Sequence, residues 1–223
     1  MKNNVKLLGY YGTDETHACS AWCSTSRELT QEKRDRIPKM LKSLADNKHH
    51  SVFEKSSLHF LVNSDIASHI HMLKHRIGVS INAESARYKE LKEDKFFVPD
   101  DWNNIEVSNN NIRINESYSG KDWATVLKNY TELGNELYHN CLADLEPVVG
   151  RKRAKESARF FKTYNSQIEC DIMFNWRSFY HFQGLRNSEH AQKEIREIAQ
   201  TMLQLVKDIP EQPFVHTIAA FNL

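Results

Sequence analysis

With 223 residues the chain has the length at which a single hydrophobic core is usual, and its 30 Lys and Arg against 29 Asp and Glu leave a formal charge of +1, which excludes a broad basic surface for duplex nucleic acid and makes any anion site local. No stretch approaches the ~20 apolar residues of a membrane span, and the opening MKNNVKLLGYYGTDE lacks the apolar core of a secretory leader, so a cytoplasmic protein with no nucleic-acid or membrane partner is expected. Cys19, Cys23, Cys141 and Cys170 contain no CxxC pair and read as reduced thiols rather than a disulfide framework.

In chain order, Ile37-Pro38 predicts a helix starting at Pro38, with Met40, Leu41 and Leu44 as its apolar face, because proline suits a first helical turn. SSLHFLVN, residues 56–63, reads as a strand. Ser64 then reads as the N-cap of a helix with Ile66, Ile70 and Leu73 on one side, delivering Lys74, His75 and Arg76 at its C-terminal end, where the helix dipole favours cations. The polar interval KHRIGVSINAESARY, residues 74–88, reads as a flexible loop bracketed by cations. NIEVS and NIRIN alternate around an Asn-rich turn and predict a small hairpin insertion around 100–118.

Beyond it, Trp123, Leu127, Tyr130, Gly134, Leu137 and Cys141 follow helical spacing and predict one buried stripe, with Cys141 in the core. Residues 151–165 read as a second helix and 168–183 as a third, with Ile172, Trp176 and Phe179 inward. The last helix starts at Ser188 as N-cap, turns Ala191, Ile195, Ile198, Met202, Leu205 and Ile209 inward, and stops at Pro210. The class is α+β dominated by helix, in a single domain over 1–223.

Several chemistries are absent by motif: there is no GxGxxG, P-loop or GxSxG elbow, and no evident Cys/His nucleophile. Among the eleven histidines, His71 and His75 stand four apart, a spacing that serves zinc. Without HExxH or a carboxylate partner, hydrogen-bonding or phosphate-contacting roles are favoured and no metal site is assigned. Arg151, Lys155, Arg159 and Lys162 form a basic face that reads as a solvated stripe, although Arg159 sits in SARFF, where neighbouring apolar surface would desolvate it and strengthen its hold on an anion. In FNWRSFYHFQGLRNSEH, Asn175, Arg177, His181 and Arg186 interrupt an aromatic run. Either the arginines reach solvent around an aromatic core, or a planar ligand with a phosphate tail satisfies them.

The stretch KHR…SARY, followed in order by ESARFF, FNWRSF and LRNSEHAQKEIREIA, resembles the signature of the flavin-dependent thymidylate synthases. Arg159 and Arg186 also keep a 27-residue separation similar to the family's. The resemblance covers roughly residues 45–92 and 150–200 and implies the family's fold, with a central mixed or antiparallel sheet. It implies a homotetramer with shared active sites, FAD as cofactor, and NADPH and methylenetetrahydrofolate as co-substrates in converting dUMP to dTMP. It further implies FAD contacts at Ser57, Lys74, His75, Arg76, Glu84, Asn175, Arg177 and His181. For dUMP it implies His71, Lys74, Ser85, Ala86, Arg87, Arg159 and Arg186, the last as the catalytic group that polarises the pyrimidine.

This chain departs from the pattern in four places. Lys74 replaces the first arginine of the triplet, and eight residues rather than seven precede Ser85. Lys55 follows Phe53-Glu54 where a histidine is common, and His181 stands in place of an asparagine. Two competing expectations are a non-catalytic nucleotide-binding module that kept the anion pocket and a metal-dependent phosphohydrolase using the histidines.

Overall fold

The computed structural model of the chain describes residues 1–107 and 121–223. The Asn-rich turn and the NIRIN segment of the expected hairpin lie outside the described residues. On either side, the Val107 N–H donates to Lys121 O at 3.0 Å and the Trp123 N–H to Ile105 O at 2.9 Å. Backbone contacts divide the chain into two compact units: 1–3, 63–69 and 83–169 form the first, and 4–62, 70–82 and 170–223 the second.

Four strands form one antiparallel sheet: β1 (Asn4–Tyr11), β2 (Ser57–Asp65), β3 (Val79–Ala83) and β4 (Gln167–Phe174), in the order β1-β2-β4-β3. The expected helix over 168–183 is therefore half strand. Cys170, Ile172 and Phe174 are buried at every second position, a period of two that only an extended chain turns to one face. At the end of β4 the Asn175 side chain accepts from the Ser178 N–H at 2.8 Å and starts helix α6 (Trp176–Arg186). Ile172, Trp176 and Phe179 do point inward.

In the second unit, helix α2 (Gln31–Asp46) begins at Thr30, whose hydroxyl accepts from the Lys33 N–H, and Pro38 lies inside it rather than at its start. Its buried stripe is Ile37, Leu41 and Ala45, and it packs on α8 (Val215–Ala220) and on α1 (Asp14–Trp22). Helix α7 (Lys193–Lys207) lies on β1 and buries Ile195, Ile198, Ala199, Met202, Leu203 and Val206. Each large side chain there contributes about 1.5–3 kcal/mol. It starts five residues after the expected cap, because Ser188 instead closes a turn, accepting from the Ala191 N–H through its carbonyl and from the His190 N–H through its hydroxyl. Around these elements Phe60 stacks on Phe179 at 5.9 Å and Trp176 on Phe214 at 5.0 Å.

In the first unit, α4 (Trp123–Val149) is capped by Asp122 and packs on α5 (Arg151–Ala158). α5 stops at Ala158, short of the expected 165, and a single 3-10 turn, Arg159–Phe161, follows. The buried face of α4 is Ala124, Thr131, Gly134, Asn135, Tyr138 and Leu142, so the expected stripe is rotated and only Gly134 is common to both. Gly134 sets that rotation: a Cβ there would meet Phe161 O at 2.7 Å. Cys141 is half-buried against the cluster of Tyr138, Leu142, Ala154 and Ala158. Two cations of the supposed solvated stripe are buried. Lys155 donates to Tyr88 O at 2.9 Å, while the Lys162 side chain, 5% exposed, donates to Asp94 at 2.6 Å and Asn135 at 2.7 Å.

Candidate active site

Helix α3 (Ile66–Leu73) brings the triplet into place, with a different cap and a different face from those expected. Ser64 belongs to β2, and Asp65 caps the helix by accepting from the Ser68 N–H at 2.8 Å. Asp65 wins because its carboxylate has the longer reach and the favourable charge for a helix N-terminus. Ser68, His69, Met72 and, just past the helix, His75 are buried, while Leu73 is 45% exposed and Ile66 and Ile70 are half-buried. The 74–88 interval is not one flexible loop, since β3 occupies its centre. Ladder bonds run from Asn175 N–H to Gly78 O and from Glu84 N–H to Glu169 O. Five residues lie between the bonded positions on each strand, so the additional residue before Ser85 is not taken up as a bulge in β3.

In the second unit α3 and α6 bring three of the predicted residues into direct contact. The Arg186 Nε–H donates to His75 Nε2 at 3.0 Å, its Nη1 to His71 Nδ1 at 3.2 Å, and its Nη2 to the His71 carbonyl at 3.4 Å. His75 is 8% exposed and stands edge-on to Phe182 and His181. Burial, with the charges of Arg186, His181 and His71 adding to it, lowers the His75 imidazole to about 4. Burial likewise lowers the Arg186 guanidinium from its ordinary value.

Beside this cluster lies a cavity of about 360 Å³ lined by His50, Glu54, Ile77, Asn175, Arg177, Ser178, Tyr180 and His181. Gly78 borders it at φ +67°, and a Cβ there would stand 2.5 Å from Asn175 Nδ2, so only glycine lets the backbone pass. Ser178 Oγ donates to Gly78 O at 2.7 Å and fixes that turn. Arg177 reaches Glu54 at 2.6 Å, with the two side chains 53% and 34% exposed, a pair weak enough to open for a better anion. Lys74 and Arg76 are exposed on the turn between α3 and β3. Ser57 lines a separate, more open cavity of about 470 Å³ with Lys55, Arg27 and Cys23.

The remaining predicted residues belong to the first unit. Ser85 Oγ accepts from the Arg87 N–H at 3.3 Å, and Arg87 Nε donates to Glu156 at 2.8 Å, which holds that carboxyl below its usual value. Ala86 lies in the same turn. Glu84 is held by Lys89 and by the Glu169 N–H. Arg159 is exposed and its neighbour Phe160 is 80% exposed, so adjacent apolar surface does not desolvate it within this chain.

A family model described as "Thymidylate synthase complementing protein" matches residues 6–211. The chain belongs to this family. A flavin-dependent thymidylate synthase of Pseudothermotoga lettingae is 31% identical over 205 residues, covering 92% of this chain and 85% of that protein. One of Anaplasma marginale is 29% identical, covering 92% and 68%. Among solved structures, the UMP/dUMP methylase PolB of Streptomyces cacaoi bound with 5-Br dUMP superposes with a TM-score of 0.77 at 25% identity, over 99% of this chain and 95% of that one. For a thymidylate synthase complementing protein, the lining by His50, Glu54, Ile77, Ser178 and Tyr180 is what sequence reasoning missed. Glu54 was within reach as the acidic half of Phe53-Glu54. Ile77 lies in the 74–88 interval and Ser178 and Tyr180 in the aromatic run, whereas His50 carries no motif and joins them only through the contact of α6 with the 3-10 turn His50–Glu54.

Proposed function

We propose that the chain is a flavin-dependent thymidylate synthase that methylates dUMP to dTMP, with FAD as cofactor, methylenetetrahydrofolate as carbon donor and NADPH as reductant, and that it works in the cytoplasm, where these charged metabolites are met, as a homotetramer. The observation that carries this reading is the family match over residues 6–211, which includes the guanidinium of Arg186 with its histidine partners. The residues around the 360 Å³ cavity suit FAD. The volume falls in the range of about 300–1,000 Å³ usual for ligand pockets, the Gly78 turn allows close backbone approach, and the Asn175 amide, Arg177 and His181 offer donors to a dinucleotide. His75, Lys74, Arg76 and Ser57 complete the proposed FAD set of the second unit, and Glu84 is the one member proposed from the first. When bound, FAD supplies the reducing equivalents.

The chain's own groups do the rest. For the dUMP phosphate, Ser85, the Ala86 N–H, Arg87 and Arg159 are the donors of the first unit, and His71 and Lys74 are those of the second. Arg186 lies against the pyrimidine, where a cation in a dry site stabilises charge developing at N3 and O2 and activates C5, an effect of about 3–4 kcal/mol per group. Tyr130, Leu133 and Leu137 on α4 are 60%, 49% and 39% exposed, an apolar row that supports assembly of several copies.

The test is a visible absorption spectrum of the purified protein with and without dUMP, followed by dUMP-stimulated NADPH oxidation and tritium release from [5-³H]dUMP in the presence of the folate. Yellow protein and tritium release are expected. Protein that cannot be loaded with FAD refutes the reading, and dUMP binding without tritium release replaces it with a non-catalytic nucleotide-binding module.

A further inference from the structure

We propose that His75, with His71, is a positioning residue for Arg186, fixing the plane of the guanidinium through neutral acceptors so that its whole charge stays available to the substrate. This deepens the proposed function and rests on it. An arginine has five N–H donors and no acceptor. The three contacts with His75 Nε2, His71 Nδ1 and the His71 carbonyl therefore each use one donor, and one N–H on each terminal nitrogen remains beyond them. Because Arg186 Nε donates to it, His75 Nε2 carries a lone pair and the ring proton is on Nδ1. His71 Nδ1 must accept for the same reason.

The choice of imidazole has a physical consequence. A carboxylate at either position would orient the guanidinium equally well, but it would also form an ion pair and cancel much of the field that Arg186 presents to a pyrimidine. A neutral ring orients without cancelling. The ring is itself held by its buried position and by the edges of Phe182 at 5.0 Å and His181 at 5.8 Å. The cation beside it opposes a second proton, so the clamp stays neutral. The two histidines reach Arg186 across 111 and 115 positions of sequence.

Two measurements test this. The first is independent of turnover: ¹⁵N shifts of histidine-labelled protein at neutral pH, assigned with His75→Gln. A neutral His75 protonated on Nδ1, reverting to the Nε2–H form in Arg186→Met, is expected, and an Nε2–H tautomer in the parent protein overturns the proposal. The second compares FAD content, KM for dUMP and kcat in His75→Leu, His75→Gln and His75→Glu. At saturating FAD, loss of a hydrogen bond to a charged group predicts a kcat about 10–100-fold lower for His75→Leu, with KM for dUMP little moved. Gln restores most of the loss, since its amide oxygen accepts without charge, and Glu does not. Equal kcat for Leu and Gln, or for Gln and Glu, at saturating FAD overturns it. If the parent enzyme forms no dTMP, the proposed function fails, while the tautomer measurement still decides the clamp.

Discussion

His17 is fully buried between Ser56 and Thr217. Its Nε2 lies 2.8 Å from Ser56 Oγ and its Nδ1 2.9 Å from Thr217 Oγ1, and Thr217 in turn donates to Asp14. The ring is edge-on to Phe53 at 5.2 Å, and burial lowers its imidazole to about 4 from the ordinary 6.5. In the unfolded chain His17 takes up a proton near pH 6.5, whereas the folded chain does not until about pH 4. The unfolded state therefore binds more protons across that window and stability falls as pH falls through it. At about 1.4 kcal/mol per pH unit, the interval costs about 3 kcal/mol between pH 7 and pH 4.

His69 and His75 are also lowered by burial and act in the same direction, while Asp14, raised by burial, opposes them at the acid end. The contribution of His17 is isolated by subtraction. Urea unfolding of the parent and of His17→Gln is measured at pH 7, 6, 5 and 4. The variant should be weaker at pH 7 by about 1–3 kcal/mol, for lost ring packing and a strained hydroxyl partner. It should also lose about 3 kcal/mol less than the parent on going to pH 4. Parallel stability–pH curves for the two proteins would refute the argument, because they would mean that His17 protonates equally in both states.

Arg186→Ala should lower dTMP formation about 10²–10³-fold with flavin still bound, whereas Arg87→Ala should chiefly weaken dUMP binding, about 10–100-fold by titration. Gly78→Ala places a Cβ 2.5 Å from the Asn175 amide at φ +67°; a stability loss of about 2 kcal/mol and weaker FAD retention are expected in urea and absorbance measurements. Lys162→Met removes the buried partner of Asp94 and Asn135 and the cation 4.4 Å from the Tyr138 ring centre; the urea midpoint should fall by the equivalent of about 2–4 kcal/mol. Leu133→Glu with Leu137→Glu should yield smaller species in sedimentation at unchanged helix content, if the exposed row of α4 joins copies of the chain.

What was legible depended on how local the signal is. The strand 56–63 and the inward Ile195, Ile198 and Met202 were readable because alternation and helical spacing are written along a few residues. The 168–183 segment misled because Ile172, Trp176 and Phe179 fit a helix only when the break at Asn175 is overlooked. Its cap, Oδ1 to the Ser178 N–H, is the signal that separates strand from helix. The predicted site residues came from ordered motifs, and His71, His75 and Arg186 do meet. Their mutual geometry could not be read in advance, since it is created by a fold that closes more than a hundred positions. The cavity lining was hidden for the same reason: His50 and Tyr180 pack edge-on at 5.9 Å, with no shared motif.

The rotated face of α4 was misread for a different reason. Within the chain, the helix turns Thr131 and Asn135 inward. Thr131 donates to Leu127 O at 2.8 Å and Asn135 accepts from Lys162, so the buried polar groups are satisfied at no penalty. Tyr130, Leu133 and Leu137 are left facing out. A contiguous apolar row on a 27-residue helix is costly to leave in water, and periodicity records that a face avoids water without recording what covers it. On the proposed homotetramer the conflict disappears: Tyr130 and Leu137 of the expected stripe are then the core of an assembly, while the satisfied polar face is the core of the protomer.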